Sequence, residues 1–447
     1  MKRGFVAVVI IAAVAFWTGR ESSLPEPSRS VDRSVLGYQG GFEADAETAA
    51  AVDRAIDSGD IKQVAGGLPQ REIVVQDGDS IQQAVRDAEP NTVIRIFPGR
   101  YAETVYIDKD GIRLIGEIVA GERPVLDGGG TLNDAVLYSG NNVVVENLKI
   151  VNYKGNGIMG QAGDNYVIRN NLIIDTGVYG IFPQLGINGV VEHNIVSEIA
   201  DAAIYVGMSD HVHVAHNEVF DSVAGIEIEN SRHAIVEDNY VHDNTGGILA
   251  FITPGLPIKT CEDVIIRHNF VVNNNTPNFG APGSTVSGIP SGTGILIMAA
   301  DDVVIEGNVI TGNKTAAILV TDHANADNIT ADPEADPNSD RVAILENVIE
   351  NNGFDTITAV KALQLSEFKT GPIDIVSVGA VNDSCIRARG RYRTVGIDDY
   401  DDCGFDNTAA TVTYLLPPVA PREISAAERG KTTFLAVCSG CHAYRGG

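Results

Sequence analysis

The sequence predicts an all-β protein, a right-handed parallel β-helix: a single-stranded solenoid of roughly ten coils. An N-terminal cap helix and a short C-terminal helical segment are expected at its two ends. Three observations carry the fold prediction. A unit of 22 to 24 residues repeats through the middle of the chain. One Asn recurs at a fixed place in each unit. The composition, 44% hydrophobic but only 6% aromatic with 47 glycines in 447 residues, suits stacked small turns better than a layered α/β core.

The repeat emerges on aligning VENLKI, RNNLII, EHNIVS, AHNEVF, EDNYVH, RHNFVV, EGNVIT and LENVIE. The shared Asn residues are Asn147, Asn171, Asn194, Asn217, Asn239, Asn269, Asn308 and Asn347. Three positions earlier stand Val144, Ile168, Val191, Val214, Val236, Ile266, Ile305 and Ile344. A second marker comprises Ile158, Ile181, Ile204, Ile226, Ile248, Ile295 and Ile318, each preceded by Gly or Ala. Such a unit makes one coil of three short strands, and coils stack about 4.8 Å apart through parallel backbone hydrogen bonds. Inward Val and Ile then lie on their own copies, and the Asn amide bonds both a turn and the next Asn of the stack. Leucine-rich and helical solenoids are excluded by the absence of Leu ladders and the abundance of Gly and Asn.

Along the chain, residues 1–22 read as a signal peptide, with basic Lys2 and Arg3 followed by the apolar run Phe5 to Trp17. That run is short of the roughly 20 residues of a membrane span. An exported protein, periplasmic or extracellular and not membrane-integrated after cleavage, is expected. Residues 23–70 read as a linker with an Ala-rich helical segment, and 71–365 as the β-helix. Ser80 caps a helix over Ile81 to Ala88 that would close the open end of the solenoid. Residues 366–420 form a C-terminal extension, and 421–447 a partial haem-attachment segment.

Candidate site residues come from the face count. Insertions break the period near Pro254 to Cys261, Asn274 to Ser291 and His323 to Asp340, and loops over a rigid strand face often form sites. Counting outward from the marker Ile puts Glu227 and Glu229 on one face beside Tyr205 of the neighbouring coil. His211 and His233 share a repeat position and should stack, as do Asp210 and Arg232 in the adjoining column. Tyr205, His211, Glu227, Glu229 and His233 are therefore the candidate catalytic set, acids and bases able to act on a sugar carbon. His193, His216 and His268 precede ladder Asn residues and read as turn residues.

The motif with the most defined chemistry is Cys438-Ser439-Gly440-Cys441-His442, the C-x-x-C-H pattern of covalent c-type haem. Cys438 and Cys441 would form the thioethers, and His442 would be the axial ligand of the haem iron. Ser425 to Glu428 reads as a capping box leading into this segment. Five residues follow His442, so a second axial ligand is not expected from this stretch. Cys385 and Cys403 are either a disulfide or two free thiols, and Cys261 is left over. Acidic runs at Asp332, Glu334, Asp336 and Asp340, and at Asp398, Asp399, Asp401 and Asp402, offer the oxygen ligands that Ca2+ prefers. The formal charge of −27 argues against nucleic-acid partners.

Residues 70–360, with the opening SIQQAVRDAEPNTVIRIFPGRYAETVYI, resemble the β-helix repeats of pectin-acting enzymes, alginate epimerases and the β-helix protein of nitrous oxide reductase maturation. The likeness is greatest to exported bacterial β-helix proteins paired with, or fused to, a c-type cytochrome-like protein. It implies a redox-associated scaffold carrying haem c and acting with a cytochrome partner. The alternative is a polysaccharide-modifying enzyme of the uronate lyase or C5-epimerase type, or a non-catalytic carbohydrate-binding β-helix. Against the enzyme, the chain has no Asp-Pro-His-Asp run of the epimerases and no evident Lys/Arg base pair of the lyases.

Overall fold

The computed structural model describes residues 71–404 apart from 327, 328, 331 and 380. The expected signal peptide, the linker with its helical segment, and the haem motif of Cys438, Cys441 and His442 lie outside the described residues.

Each coil contributes one short strand to each of three parallel sheets. Sheet A has 12 strands, from Arg71–Val75 to Cys385–Ile386. Sheet B has 10, from Arg100–Tyr101 to Val348–Glu350, and sheet C has 11, from Val105–Ile107 to Thr394–Val395. Twelve strands at about 4.8 Å give a solenoid about 50 Å long. The marker isoleucines lie in one register on sheet C, Ile158 on Ile181, then Ile204, Ile226, Ile248, Ile295 and Ile318, and all are fully buried. Alternate residues of these strands point into the coil and build a single aliphatic core.

The Asn column forms a continuous hydrogen-bonded ladder. Asn171 Oδ1 accepts from Leu148 N, and Asn194 Oδ1 accepts from both the backbone N and Nδ2 of Asn171 at 3.0 Å. The pattern repeats through Asn217, Asn239, Asn269, Asn308 and Asn347. It corrects the sequence alignment at its first member. Leu148, not Asn147, holds the ladder position, and Val145, not Val144, pairs with Ile168. Asn147 has φ 65° and belongs to the neighbouring left-handed turn column with Asn170, His193, His216, Asp238, His268 and Gly307. A second ladder, Ser222, Asn244, Asn274, Asn313 and Asn352, runs along the turn from sheet B to sheet C.

Helix α1 (Ile81–Asp87) lies at the N-terminal end of the solenoid and buries Ile81, Ala84 and Val85. The Ser80 hydroxyl accepts from Gln83 N, and the Glu103 carboxylate accepts from Ser80 Oγ, Ile81 N and Gln82 N, so the exposed amides of the first turn are all engaged. Stacking does not stop at residue 365. Ile375–Val378, Cys385–Ile386 and Thr394–Val395 add further strands to sheets C and A, and a Cys385–Cys403 disulfide staples the last strand of sheet A. Cys261 is the free, buried cysteine among the described residues.

Candidate functional site

The first and third insertions leave the solenoid at the turn from sheet C to sheet A, and the second at the turn from sheet B to sheet C. Lys259 Nζ lies 2.6 Å from Asp332 Oδ2, and His323 Nε2 lies 2.9 Å from the Ile252 carbonyl, so the first and third insertions are tied together. The acidic residues of the third insertion hydrogen-bond within the loop and to neighbouring segments. Asp332 accepts from Gly255 N and Glu334 N, Asp336 from Asn338 N, and Asp340 from Asn382.

The second and third insertions wall the outer face of sheet C. Helix α2 (Thr358–Ser366) joins them, and together they enclose an apolar cleft of about 270 Å³. Its floor is Leu249, Phe251, Leu296, Met298 and Leu319, the outward residues of three successive coils, and its walls include Val286, Ile289, Val360 and Leu363.

Beside that floor stand the predicted carboxylates. Glu227 and Glu229 occupy the outward positions of strand Ala224–Glu229, in register with Leu249 and Phe251 on one side and with Tyr205 and Gly207 on the other. The sequence places them on the outside of the coil, where solvation is the simplest expectation. The structure buries them instead, Glu227 to 1% and Glu229 to 6% exposure. They lie outside the β-coil but inside the molecule, because the loops of this face add a second apolar cluster over the sheet.

A third carboxylate, missed by the sequence reading, joins them. Asp201 ends the turn before strand Ala202–Gly207, where its N–H donates to Val178 O and its carbonyl accepts from Ala224 N. Asp201 Oδ1 and Glu227 Oε1 are buried without a hydrogen-bond partner. Burial pushes the Asp201 carboxyl up to about 7. Burial, and then the nearby Asp201 charge, push Glu227 well above the usual carboxylate range. Burial with the same neighbour takes Glu229 to about 7. These groups hold their protons near neutrality, the condition for a general acid. A sequence signal for Asp201 existed: the equivalent turn positions are Val223, Thr245, Gly292 and Thr315, and only this coil carries an acid.

On the far side of the carboxylates lies an aromatic group. Tyr205 stacks on Tyr179 with centroids 4.5 Å apart and rings within 10°, and Phe182 meets Tyr205 edge-on at 4.5 Å. Along one face the chain thus presents an aromatic patch, a buried acid cluster and an aliphatic cleft in turn. Among the described residues, no outward position of the sheet C strands from Ile158 to Thr321 is Lys or Arg.

His211 and His233 are placed elsewhere, in the turn from sheet C to sheet A. Their rings stack at 4.4 Å, and Arg232 Nη2 lies 2.7 Å from Asp210 Oδ2, so the two predicted columns form. The candidate set of Tyr205, His211, Glu227, Glu229 and His233 therefore divides into a carboxylate–tyrosine group on the strand face and a histidine–aspartate group in the turn. His193, His216 and His268 are exposed residues of the left-handed turn column.

The family described as right handed beta helix region matches residues 129–219 and 224–368, more than half of the chain. Solved structures similar to it include the mannuronan C-5 epimerase AlgE6 A-module of Azotobacter vinelandii, at 14% identity and TM-score 0.49, covering 72% of this chain and 85% of that one. Another is the alginate lyase of Paenibacillus sp. str. FPU-7, at 14% identity and TM-score 0.40, covering 70% and 100%. A third is DFA-IIIase from Arthrobacter chlorophenolicus A6 in complex with GF2, at 12% identity and TM-score 0.43, covering 75% and 100%. No curated protein matches the sequence.

Proposed function

This chain belongs to the right-handed β-helix family, and on that scaffold we propose that it is a polysaccharide-modifying enzyme whose active face is the outer side of sheet C. The observation that carries the reading is the carboxylate cluster of buried Glu227 and Glu229 with half-buried Asp201, in which Asp201 Oδ1 and Glu227 Oε1 lack a hydrogen-bond partner, beside Tyr205. A buried acid without a hydrogen-bond partner is costly to the fold, on the order of 1–3 kcal/mol per group, and such costs concentrate where chemistry is done. Asp201 and Glu229 are the proton-transfer groups: one delivers a proton to the leaving sugar oxygen, and the other, once ionised, takes one from water or from a ring carbon. Tyr179, half-buried and backed by the buried rings of Tyr205 and Phe182, supplies the apolar surface against which a sugar ring packs. Because no outward strand position of this face is basic, a neutral sugar suits it better than a uronate, whose carboxylate has no cation there to meet.

The test is turnover. The full chain is incubated with neutral and uronate polysaccharides, and new reducing ends and unsaturated products are followed. Turnover that falls about 10²-fold or more in Glu229→Gln supports the reading. Absence of turnover and binding across the panel, or full activity in both Glu227→Gln and Glu229→Gln, overturns it.

A second reading rests on the C-x-x-C-H motif of Cys438, Cys441 and His442: covalent haem c, electron transfer and a c-type cytochrome partner. Export is part of both readings, since haem c is attached after export and the Cys385–Cys403 disulfide suits an oxidising compartment. A pyridine haemochrome spectrum, compared with a Cys438→Ala, Cys441→Ala variant made in the same host, decides it. A covalent signal lost in the variant establishes haem, and no signal in either removes it.

A further inference from the structure

The histidine–aspartate turn has a geometry that the glycan reading does not use. Asp210 opens strand Asp210–Ala215, and Arg232 occupies the same position one coil on. The following residues, His211 and His233, have φ of 55° and 52°. The equivalent position in other coils is Asn142, Asn165, Asn188, Asp263, Asp302, Arg341 or Asp383, each also left-handed. This turn is thus a repeated backbone device in which Asn and Asp are the easy choices. Two consecutive coils depart from that choice with imidazoles, and the coil spacing brings the rings into contact.

Both imidazoles aim the same nitrogen at the same atom. His211 Nδ1 is 2.5 Å and His233 Nδ1 is 2.7 Å from Asp210 Oδ1. His211 is 92% buried, yet its Nδ1 makes no hydrogen bond of acceptable direction to that oxygen or to anything else. His233 Nδ1 hydrogen-bonds the same oxygen, so the three donor atoms already converge on one point, where a metal ion would take the place of the shared proton.

The surroundings complete the pattern. His233 Nε2 lies 3.3 Å from Asp263 Oδ2, an arrangement that fixes the ring and leaves Nδ1 as the ligand atom. Arg232 engages the other Asp210 oxygen, orienting it while leaving Oδ1 to the cluster. The three donor atoms lie within 4.8 Å of one another. Around a metal with bonds of about 2.0–2.1 Å they would sit about 3.3 Å apart, so the rings must open by less than about 1 Å.

We propose that Asp210, His211 and His233 form a binding site for a divalent transition metal, with Asp263 and Arg232 as its outer partners. Two imidazoles and one carboxylate are a borderline donor set suited to Zn2+, Co2+, Ni2+ or Fe2+ rather than to Ca2+. Three protein ligands leave at least one position for water or substrate.

The test uses the full chain carrying Cys438→Ala and Cys441→Ala, so that the thiol motif contributes no binding. The chelator-treated protein is titrated with Co2+, read by its visible absorption, and with Zn2+, read by calorimetry. One equivalent is expected per chain. His233→Ala should weaken binding about 100-fold, and Asp263→Asn about 10-fold. His193→Ala, in a different turn column, should leave it unchanged. Each variant's thermal unfolding without metal is compared with the parent, and His233, at the rim of the cluster, is the variant chosen to leave the fold intact. No stoichiometric binding in the parent, or binding unchanged by His233→Ala, overturns the proposal. Because binding is read without any glycan, its failure is independent of the failure of the enzymatic reading.

Discussion

Two kinds of buried polar array stand in this solenoid, and they are built on opposite terms. In the Asn ladder every amide is used: Asn217 donates to Val191 O, Ala215 O and Asn239 Oδ1, and accepts from Asn194 N and Nδ2, all at 2.9–3.0 Å. On the sheet C face, Asp201 and Glu227 each keep a carboxylate oxygen buried with no partner. The ladder removes the desolvation cost of its polar groups by pairing them, and so belongs to stability. The acid cluster retains that cost, as a reacting group must if it is to change its protonation state.

Breaking the acid cluster should therefore separate activity from stability. Glu229→Gln removes the ionisable group but keeps its shape. It should lower polysaccharide turnover by about 10²-fold or more while leaving the urea midpoint equal or higher. Breaking the ladder should do the reverse. Asn217→Ala removes the acceptor of Asn194 N and Nδ2 and the donor to Val191 O and Ala215 O inside the coil, and should cost about 3 kcal/mol by chemical denaturation. Turnover under stabilising conditions should be little altered.

Acidity sharpens the contrast. Asp201 and Glu229 rise from 3.8 and 4.5 to about 7 on folding, so the folded chain holds these protons more tightly than the unfolded one. Their contribution to stability is full below the unfolded values and is lost as pH rises through about 7. Unfolding measured across that interval should show a decline of several kcal/mol. Combining Asp201→Asn, Glu227→Gln and Glu229→Gln should flatten it, whereas Asn217→Ala should shift the whole curve down without changing its slope.

What the sequence revealed follows the same division. The ladder and the inward isoleucines were legible because stacking forces one residue type to recur at one spacing, as Asn194, Asn217 and Asn239 do. The error at Asn147 arose where an Asn in the left-handed column lies next to Leu148, which replaces the ladder Asn in that coil. The outward direction of Glu227 and Glu229 was legible from strand alternation, but their burial was not. It depends on loops such as the one carrying Val286 and Ile289, which recur nowhere in the chain and so have no period to read. Asp201 was overlooked because it stands in a turn, one residue outside the counted strand positions.

The finest form of the comparison uses adjacent residues. His216 precedes Asn217 but points outward and is exposed, with φ 56° in the turn column that other coils fill with Asp238 or Gly307. Replacing it by Gly relieves the left-handed strain of a residue with a Cβ, worth about 1 kcal/mol, and costs a similar amount in the freedom of the unfolded chain. The ring contact with His193, at 4.9 Å between centroids, is the remaining loss, and in water it is small. His216→Gly should thus change stability by less than about 0.5 kcal/mol, against about 3 kcal/mol for Asn217→Ala one residue away. Equal effects at the two positions would mean that the turn column, and not the amide ladder beside it, holds the coils in register.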